Sequence, residues 1–330
     1  MLRRKVAVLL MVCAAVGSGC SSNGPSDELM VTDNPVAATA ATSPPAATKP
    51  AGTVSALNGT ATAAAFDPDS NTLAVATTTD IQLYRLSGDT LSPTKTVQLQ
   101  SESLTADQGA FLATGKNQVI RLTTDGSTSP ATEEFRGKPV SATTFEGRTL
   151  VAVKDERAVA VVKDDRIQNM ITGDLMSADQ VLSTGKGAVV LDRLRNAVFQ
   201  LDVQAGDIKQ GLRAGLGATN AVTDRYGRVL VTDTRGGALL AFSLDPLLLR
   251  QSYPVAGAPY AIAYDRERDI AWVTLTKTNE VVGYDVAGEQ PKEKYRFPTV
   301  SQPNTVAVDP TSGRVIVASG TGDGIQVISI

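Results

Sequence analysis

The sequence predicts an all-β protein, and within that class a β-propeller of seven four-stranded blades closed by an N-terminal strand. Three observations lead to this fold. Short apolar segments alternate with polar turns from about residue 60 to the C-terminus, the pattern repeats about every 40 residues, and a separate short segment, residues 53–57, precedes the first repeat. A period near 40 with four short strands per unit is the sequence signature of a propeller.

The repeat is clearest in residues 257–286, which read as three apolar runs separated by polar turns, and residues 294–297 add a fourth alternating segment. Four such strands form one antiparallel sheet. The ends of the predicted first strands lie 40, 39, 37, 41, 41 and 44 residues apart. These ends are Phe66, Ala106, Phe145, Leu182, Thr223, Tyr264 and Val308. The count gives seven units, and six or eight are the alternatives if one unit is assigned wrongly.

The two ends of the repeat region complete each other. The last unit stops after its third predicted strand at Ile330, so it lacks an outer strand. Residues 53–57 can supply that strand to the seventh blade. This arrangement pairs the two ends of the region and leaves no open sheet edge at the seam.

The N-terminus, residues 1–19, has the features of an export signal. Arg3, Arg4 and Lys5 precede an apolar run of eleven residues, 6–16. A transmembrane helix needs about 20 residues, so this run is too short to span a bilayer. Cys20 follows three small residues, a pattern that resembles the bacterial lipobox and predicts acylation of Cys20. A plain signal peptide cleaved nearby is the alternative.

Residues 20–52 are predicted to be a lipidated cysteine followed by a disordered tether. Ala, Thr, Ser and Pro dominate residues 21–52, and aromatic residues are absent. Such a segment buries too little apolar surface to offset the entropy lost on ordering. Residues 53–330 then form the propeller, held away from the membrane by the tether.

The composition argues against several classes of function. The chain has no histidine, the commonest general base and metal ligand. Without residues 1–19 it carries 28 basic and 34 acidic residues, so nucleic-acid binding is not expected. No cofactor or metal is predicted. Asp67, Asp69 and Asn71 have the spacing of oxygen ligands but lack the rest of a calcium loop, and a β-turn is the better interpretation.

In a propeller, the turns after the second strands and the connections before the first strands gather at one end of the channel. Four charged residues of these turns stand beside aliphatic strands in adjacent repeats: Arg193, Arg195, Asp233 and Arg235. They are the candidate ligand- or partner-binding residues, because arginine can bind a carboxylate or phosphate through two hydrogen bonds. The alternative is that these are ordinary solvated turns without a binding role. No catalytic residue is predicted.

Two segments carry a family resemblance. Residues 258–265, APYAIAYD, and 302–309, QPNTVAVD, resemble the first strands of propellers with YVTN-like repeats. The whole chain resembles a group of propeller lipoproteins from mycobacteria and related actinobacteria, most closely within residues 212–247. The resemblance implies a propeller on the outer face of the cell membrane and no particular activity.

These observations predict a membrane-anchored binding or scaffold module. Its expected partners are the membrane, through Cys20, and an envelope protein or cell-wall ligand. The alternative from another class is a periplasmic propeller enzyme, of the lactonase, lyase or quinone-dependent dehydrogenase type, that works without histidine. An assembly factor similar to outer-membrane insertion propellers is a third possibility.

Overall fold

The computed structural model describes residues 34–330, and in them seven four-stranded antiparallel sheets surround a central channel, as predicted. The inner strands are β2 (Ala61–Asp67), β6 (Leu104–Asp107), β10 (Pro139–Phe145), β14 (Gln180–Thr184), β18 (Ala218–Thr223), β22 (Pro259–Asp265) and β26 (Pro303–Asp309). Each of the seven predicted strand ends lies within its inner strand. We number the blades 1 to 7 in this order.

The other strands of each blade follow outward. The second strands are β3 (Thr72–Thr77), β7 (Ala110–Thr114), β11 (Arg148–Val153), β15 (Gly187–Asp192), β19 (Val229–Asp233), β23 (Ile270–Leu275) and β27 (Arg314–Ser319). The third strands are β4 (Ile81–Ser87), β8 (Val119–Thr123), β12 (Ala158–Lys163), β16 (Ala197–Asp202), β20 (Ala238–Ser243), β24 (Glu280–Asp285) and β28 (Ile325–Ile328). The outer strands are β5 (Thr90–Val97), β9 (Thr128–Pro130), β13 (Arg166–Ile171), β17 (Asp207–Arg213), β21 (Leu248–Pro254), β25 (Lys292–Pro298) and, in blade 7, β1 (Thr53–Ser55). A turn of 3-10 helix, Lys154–Glu156, joins β11 to β12.

The predicted closure is confirmed. In blade 7, β1 pairs antiparallel with β28, with Thr53 opposite Val327 and Ser55 opposite Ile325. Gly52 leads into this strand with φ +66°, and a Cβ there would lie 2.1 Å from the Val327 carbonyl oxygen. The start of the closing strand therefore requires glycine.

The apolar core is divided into seven layers, one between each pair of neighbouring blades. The second strands are aliphatic and buried on both faces, since each lies between two blades, whereas the outer strands are mostly exposed. Trp272 is fully buried in β23 and stacks on Tyr295 with ring centroids 5.5 Å apart. Gly283 opposite it leaves room for the indole, because a Cβ there would be 2.8 Å from the ring.

Polar side chains join neighbouring blades around the channel. The Gln180 amide donates to the carbonyl of Ala221 at 2.8 Å and accepts from the same residue's N–H at 2.9 Å. The Asn220 amide donates to the Tyr260 carbonyl one blade further on, at 3.1 Å. These bonds join the inner strands of blades 4, 5 and 6 to one another at the channel.

Two sequence predictions concern residues outside the described part of the chain: the export signal, residues 1–19, and acylation at Cys20. Within residues 34–330, no helix has the length and apolar character needed to cross a membrane.

Candidate functional site

One end of the channel collects the turns between second and third strands together with the connections that lead into the inner strands. We call this end the mouth face. The channel below it has a volume of about 280 Å³ and is lined by all seven inner strands. At its rim the Lys154 ammonium lies 3.1 Å from a carboxylate oxygen of Asp179.

An extended segment of the chain lies across this face. Residues 38–44, which we call the strap, have no regular secondary structure, yet Ala38 is 1% exposed. The strap passes over blades 4 to 7 before the chain reaches β1 at the outer edge. The prediction of a disordered tether over residues 21–52 is therefore wrong for the strap, because hydrogen bonds to its backbone replace the apolar burial that its composition lacks.

Gln302, in the connection into blade 7, makes the most complete contact with the strap. Its amide nitrogen donates to the carbonyl of Ala41 at 2.9 Å, and its amide oxygen accepts from the N–H of Ser43 at 3.0 Å. Its own backbone N–H donates to the Ser43 hydroxyl at 3.1 Å. The side-chain amide thus pairs with the strap as a peptide group of a neighbouring strand would.

The turn of blade 6 holds the same part of the strap from the other side. The Thr276 hydroxyl accepts from the N–H of Ala41 at 3.1 Å, and the Ser43 hydroxyl donates to the carbonyl of Thr276 at 2.6 Å. The Asn279 amide donates to the carbonyl of Pro44 at 2.8 Å. Both side chains are also bonded within the propeller: the Thr276 hydroxyl donates to the Ala258 carbonyl at 3.3 Å, and the Asn279 amide oxygen accepts from the Gln302 N–H at 3.1 Å.

The other end of the strap rests on blades 4 and 5. The Arg193 guanidinium donates to the Ala38 carbonyl at 2.5 Å. A Cβ on Gly217 would lie 3.0 Å from the Cβ of Ala38 and 2.6 Å from the Cγ of Arg235. Ala38 therefore fits closely against the connection into blade 5, and a larger residue at position 38 would collide with it.

Two of the four predicted site residues contact or flank the strap. Arg193 binds it directly, and the exposed Arg235 lies beside Ala38. Arg195, in the same turn as Arg193, extends over Phe199, with its guanidinium carbon 5.9 Å from the ring centroid.

Asp233 is 3% exposed, and its carboxylate is occupied by backbone donors. It accepts from the N–H groups of Leu216, Gly217 and Gly236 at 3.0, 2.8 and 2.9 Å. These bonds attach the connection into blade 5 to the turn of the same blade. We therefore assign Asp233 to the support of the mouth and not to ligand contact.

Three residues that hold the strap were not among the sequence candidates: Thr276, Asn279 and Gln302. Their types are common in turns, so nothing in the sequence distinguishes them. The available signal was their position, because each lies in a turn or connection that the repeat register assigns to the mouth face.

The other half of the mouth face, over blades 1 to 3, lies outside the path of the strap. It contains a cleft of about 690 Å³. Exposed cationic side chains, Lys116, Arg136 and Lys138, line it, together with the acids Glu102 and Asp155. Lys138 is paired with Glu102.

The Asp67 segment forms a turn, as the sequence indicated. The Asp67 carboxylate accepts from the N–H of Ser70 at 3.0 Å, and Asn71 adopts φ +50°. Residues 34–330 contain no group of three or more His, Cys, Asp or Glu side chains placed to hold a metal ion.

Comparisons with known proteins agree on the fold. No protein-family model matches the chain, and no curated protein matches it. Among solved structures, it is similar to a streptogramin B lyase, at 11% identity and TM-score 0.68, over 82% of this chain and 95% of that chain. A WD40 propeller domain of Doa1 matches at 11% identity and TM-score 0.67, over 86% and 96%. A Kuenenia stuttgartiensis hydrazine synthase chain matches at 14% identity and TM-score 0.66, over 82% and 95%. At these identities the likeness establishes the propeller fold alone.

Proposed function

We propose that this protein is a lipid-anchored binding module on the outer face of the cell membrane, acylated at Cys20, whose mouth face binds another envelope protein or a cell-wall ligand. One observation carries the binding part of the proposal: the mouth face holds an extended segment of chain through side chains of several blades. The lipobox-like sequence before Cys20 supports the location.

The first experiment is cross-linking of the tagged protein in intact cells, followed by identification of what co-purifies. The control is Cys20→Ala, which removes the proposed acylation site and leaves the propeller sequence intact. We expect a reproducible partner whose capture depends on Cys20. Recovery of the protein alone, at the membrane, would contradict a scaffold role.

Acylation is tested separately by metabolic labelling with a fatty-acid analogue. We expect the label on the wild-type protein and none on Cys20→Ala. A labelled Cys20→Ala protein would place the lipid elsewhere. An unlabelled wild-type protein would favour the plain signal peptide.

A second candidate is an enzyme that acts within the channel. It is favoured by the fold shared with the streptogramin B lyase structure and by the polar rim, where Lys154 pairs with Asp179. In a chain without histidine, the channel carboxylates Glu102 and Asp179 are candidates for the general base. A panel of lactone and cyclic depsipeptide substrates, with Glu102→Gln and Asp179→Asn as controls, tests this candidate. Turnover that both variants retain would exclude these carboxylates.

A further inference from the structure

We infer that the mouth face is a binding site for an extended peptide of small residues, and that the strap occupies this site as an intramolecular competitor. The inference rests on the proposed binding function and names its partner class: an extended segment of another envelope protein that carries a small residue five positions before a serine.

The contacts define what the site recognises. Most of them involve strap backbone groups: the carbonyls of Ala38, Ala41 and Pro44 and the N–H groups of Ala41 and Ser43. Backbone groups are common to all residues, so this part of the recognition tolerates many sequences. The site therefore selects the extended conformation of the bound chain more than its amino-acid composition.

Two positions add selectivity. Ala38 is buried against Gly217, so the residue there must be small. The Ser43 hydroxyl both donates, to the carbonyl of Thr276, and accepts, from the N–H of Gln302, and an aliphatic side chain cannot do either. Thr39 and Thr42 are exposed between these contacts, and their side chains are free to vary. The preferred ligand thus has a small residue five positions before a serine.

The strap competes because it is tethered. A covalently linked segment has an effective concentration on the order of 1 mM at its own site. A free peptide with a dissociation constant of about 100 μM would therefore bind about tenfold more weakly while the strap can dock. A partner with a better-fitting segment, or several contacts, would displace the strap and release residues 38–44.

The test uses a fluorescent peptide with the sequence of residues 36–46 and the purified full chain. In the strap-released variant, Ala41→Pro with Ser43→Pro, both strap N–H donors and the serine hydroxyl are removed while every mouth residue is kept. Thermal unfolding checks that this variant retains the propeller. Fluorescence anisotropy should show saturable binding to the released variant and about tenfold weaker binding to wild type.

Two controls make the result specific. Gln302→Ala in the released background should abolish binding, because it removes the amide that pairs with two strap groups. Lys277→Ala, an exposed residue of the blade 6 turn with no part in these contacts, should leave binding unchanged. A peptide carrying the two prolines should not bind either protein.

The failures are distinguishable. No saturation on the released variant up to about 1 mM peptide would overturn the peptide site, and the cross-linking experiment would still test the proposed function at other surfaces. Equal binding to wild type and released variant would overturn the strap as a competitor. Binding that survives Gln302→Ala would place the peptide elsewhere.

Discussion

The two halves of the mouth face are built from the same repeat but treat the chain above them differently. Over blades 4 to 7, the turns of blades 4 and 6 and the connection into blade 7 present donors and acceptors to the strap. Over blades 1 to 3, the turn of blade 1 is bonded within itself: the Thr77 hydroxyl donates to a carboxylate oxygen of Asp80 at 2.9 Å and accepts from that residue's N–H at 3.1 Å. Asp80 precedes the third strand of blade 1 as Asn279 precedes that of blade 6. An ionised carboxylate can only accept hydrogen bonds, whereas a side-chain amide can also donate them. The amide of Asn279 therefore lets blade 6 hold the Pro44 carbonyl.

The largest effect is expected from Gln302→Ala. It removes the hydrogen bonds to Ala41 and Ser43, and two bonds at about 1 kcal/mol each correspond to about a 30-fold loss in docking. Amide hydrogen exchange at Ala41 and Ser43 measures this loss as reduced protection. Gln100→Ala, a glutamine lining the open half, is the matched control and should change nothing. Unchanged protection in Gln302→Ala would contradict the role of that amide.

Asn279→Asp tests the comparison between the two halves directly, since it gives blade 6 the residue of blade 1. It removes the donor to the Pro44 carbonyl and places a carboxylate beside that oxygen. We expect docking to weaken about tenfold, which corresponds to about 1.4 kcal/mol and is measured as reduced protection at Ser43. The reciprocal change, Asp80→Asn, should leave strap exchange at the wild-type rate. A strap equally sensitive to both changes would mean that the halves do not differ in this way.

A smaller effect is expected from Ser43→Ala. It removes the hydroxyl contacts to Thr276 and Gln302 but keeps every backbone bond of the strap. Docking should weaken about fivefold, which corresponds to about 1 kcal/mol and is measured as faster exchange at Ala41. Thr42→Ala, at the neighbouring exposed position, is the control. Equal effects of the two substitutions would remove the selectivity assigned to serine.

The smallest effect on strap protection is expected from a change of pH. The strap is held by amides, hydroxyls and the Arg193 guanidinium. Charged groups around these contacts include Arg235, the Asp179–Lys154 pair behind Arg193, and Lys277 and Glu280, which are next in sequence to Thr276 and Asn279. Among residues 34–330, the side chains that hydrogen-bond the strap include no carboxyl, imidazole or amine group. After correction for intrinsic rates, strap protection should be flat over this range. A step in that profile would reveal a titrating contact.

The free energy of unfolding of the whole propeller should, by contrast, fall in acid, because of a carboxyl group on the opposite face. There burial opposes ionisation of Asp269, but hydrogen bonds from Arg225, Tyr264 and Tyr226 prevail and hold its pKa below the usual value. A carboxyl whose pKa is lowered by folding stabilises the protein above its unfolded-state pKa. That stability is lost as the pH falls through the folded-state pKa. Thermal unfolding from pH 6 to pH 3 should show the loss, and Asp269→Asn should reduce its slope.

The fold was predictable because its signal is local and repeated. Apolar runs such as residues 71–77 and 313–319 mark buried second strands, and an aspartate turn precedes each of them. The closure by β1 followed from counting, since one strand was missing at the C-terminus and one was left over at the N-terminus. Each of these inferences rests on the order of apolar and polar side chains along the sequence, and packing between two blades imposes that order on the strands.

The candidate site was predictable only in location. The register placed Arg193 and Arg235 at the mouth, but Asp233 was chosen for its charge, and charge does not show that backbone N–H groups already occupy a carboxylate. The strap gave no signal because its docking uses backbone groups, which every sequence has. Composition predicts how much apolar surface a segment can bury, and residues 38–44 bury little.

The docked strap also changes how much chain separates the propeller from Cys20. With Ala38 held at the mouth, 17 residues lie between it and Cys20, and this stretch spans at most about 60 Å. With the strap released, the first held residue is Ala51, whose N–H donates to the Pro298 carbonyl; 30 residues then lie between it and Cys20, and they span at most about 110 Å. If Cys20 carries the proposed lipid, displacement of the strap by a partner nearly doubles the greatest height of the propeller above the bilayer. Ligand binding at the mouth would thus increase the greatest distance from the bilayer at which the propeller can lie.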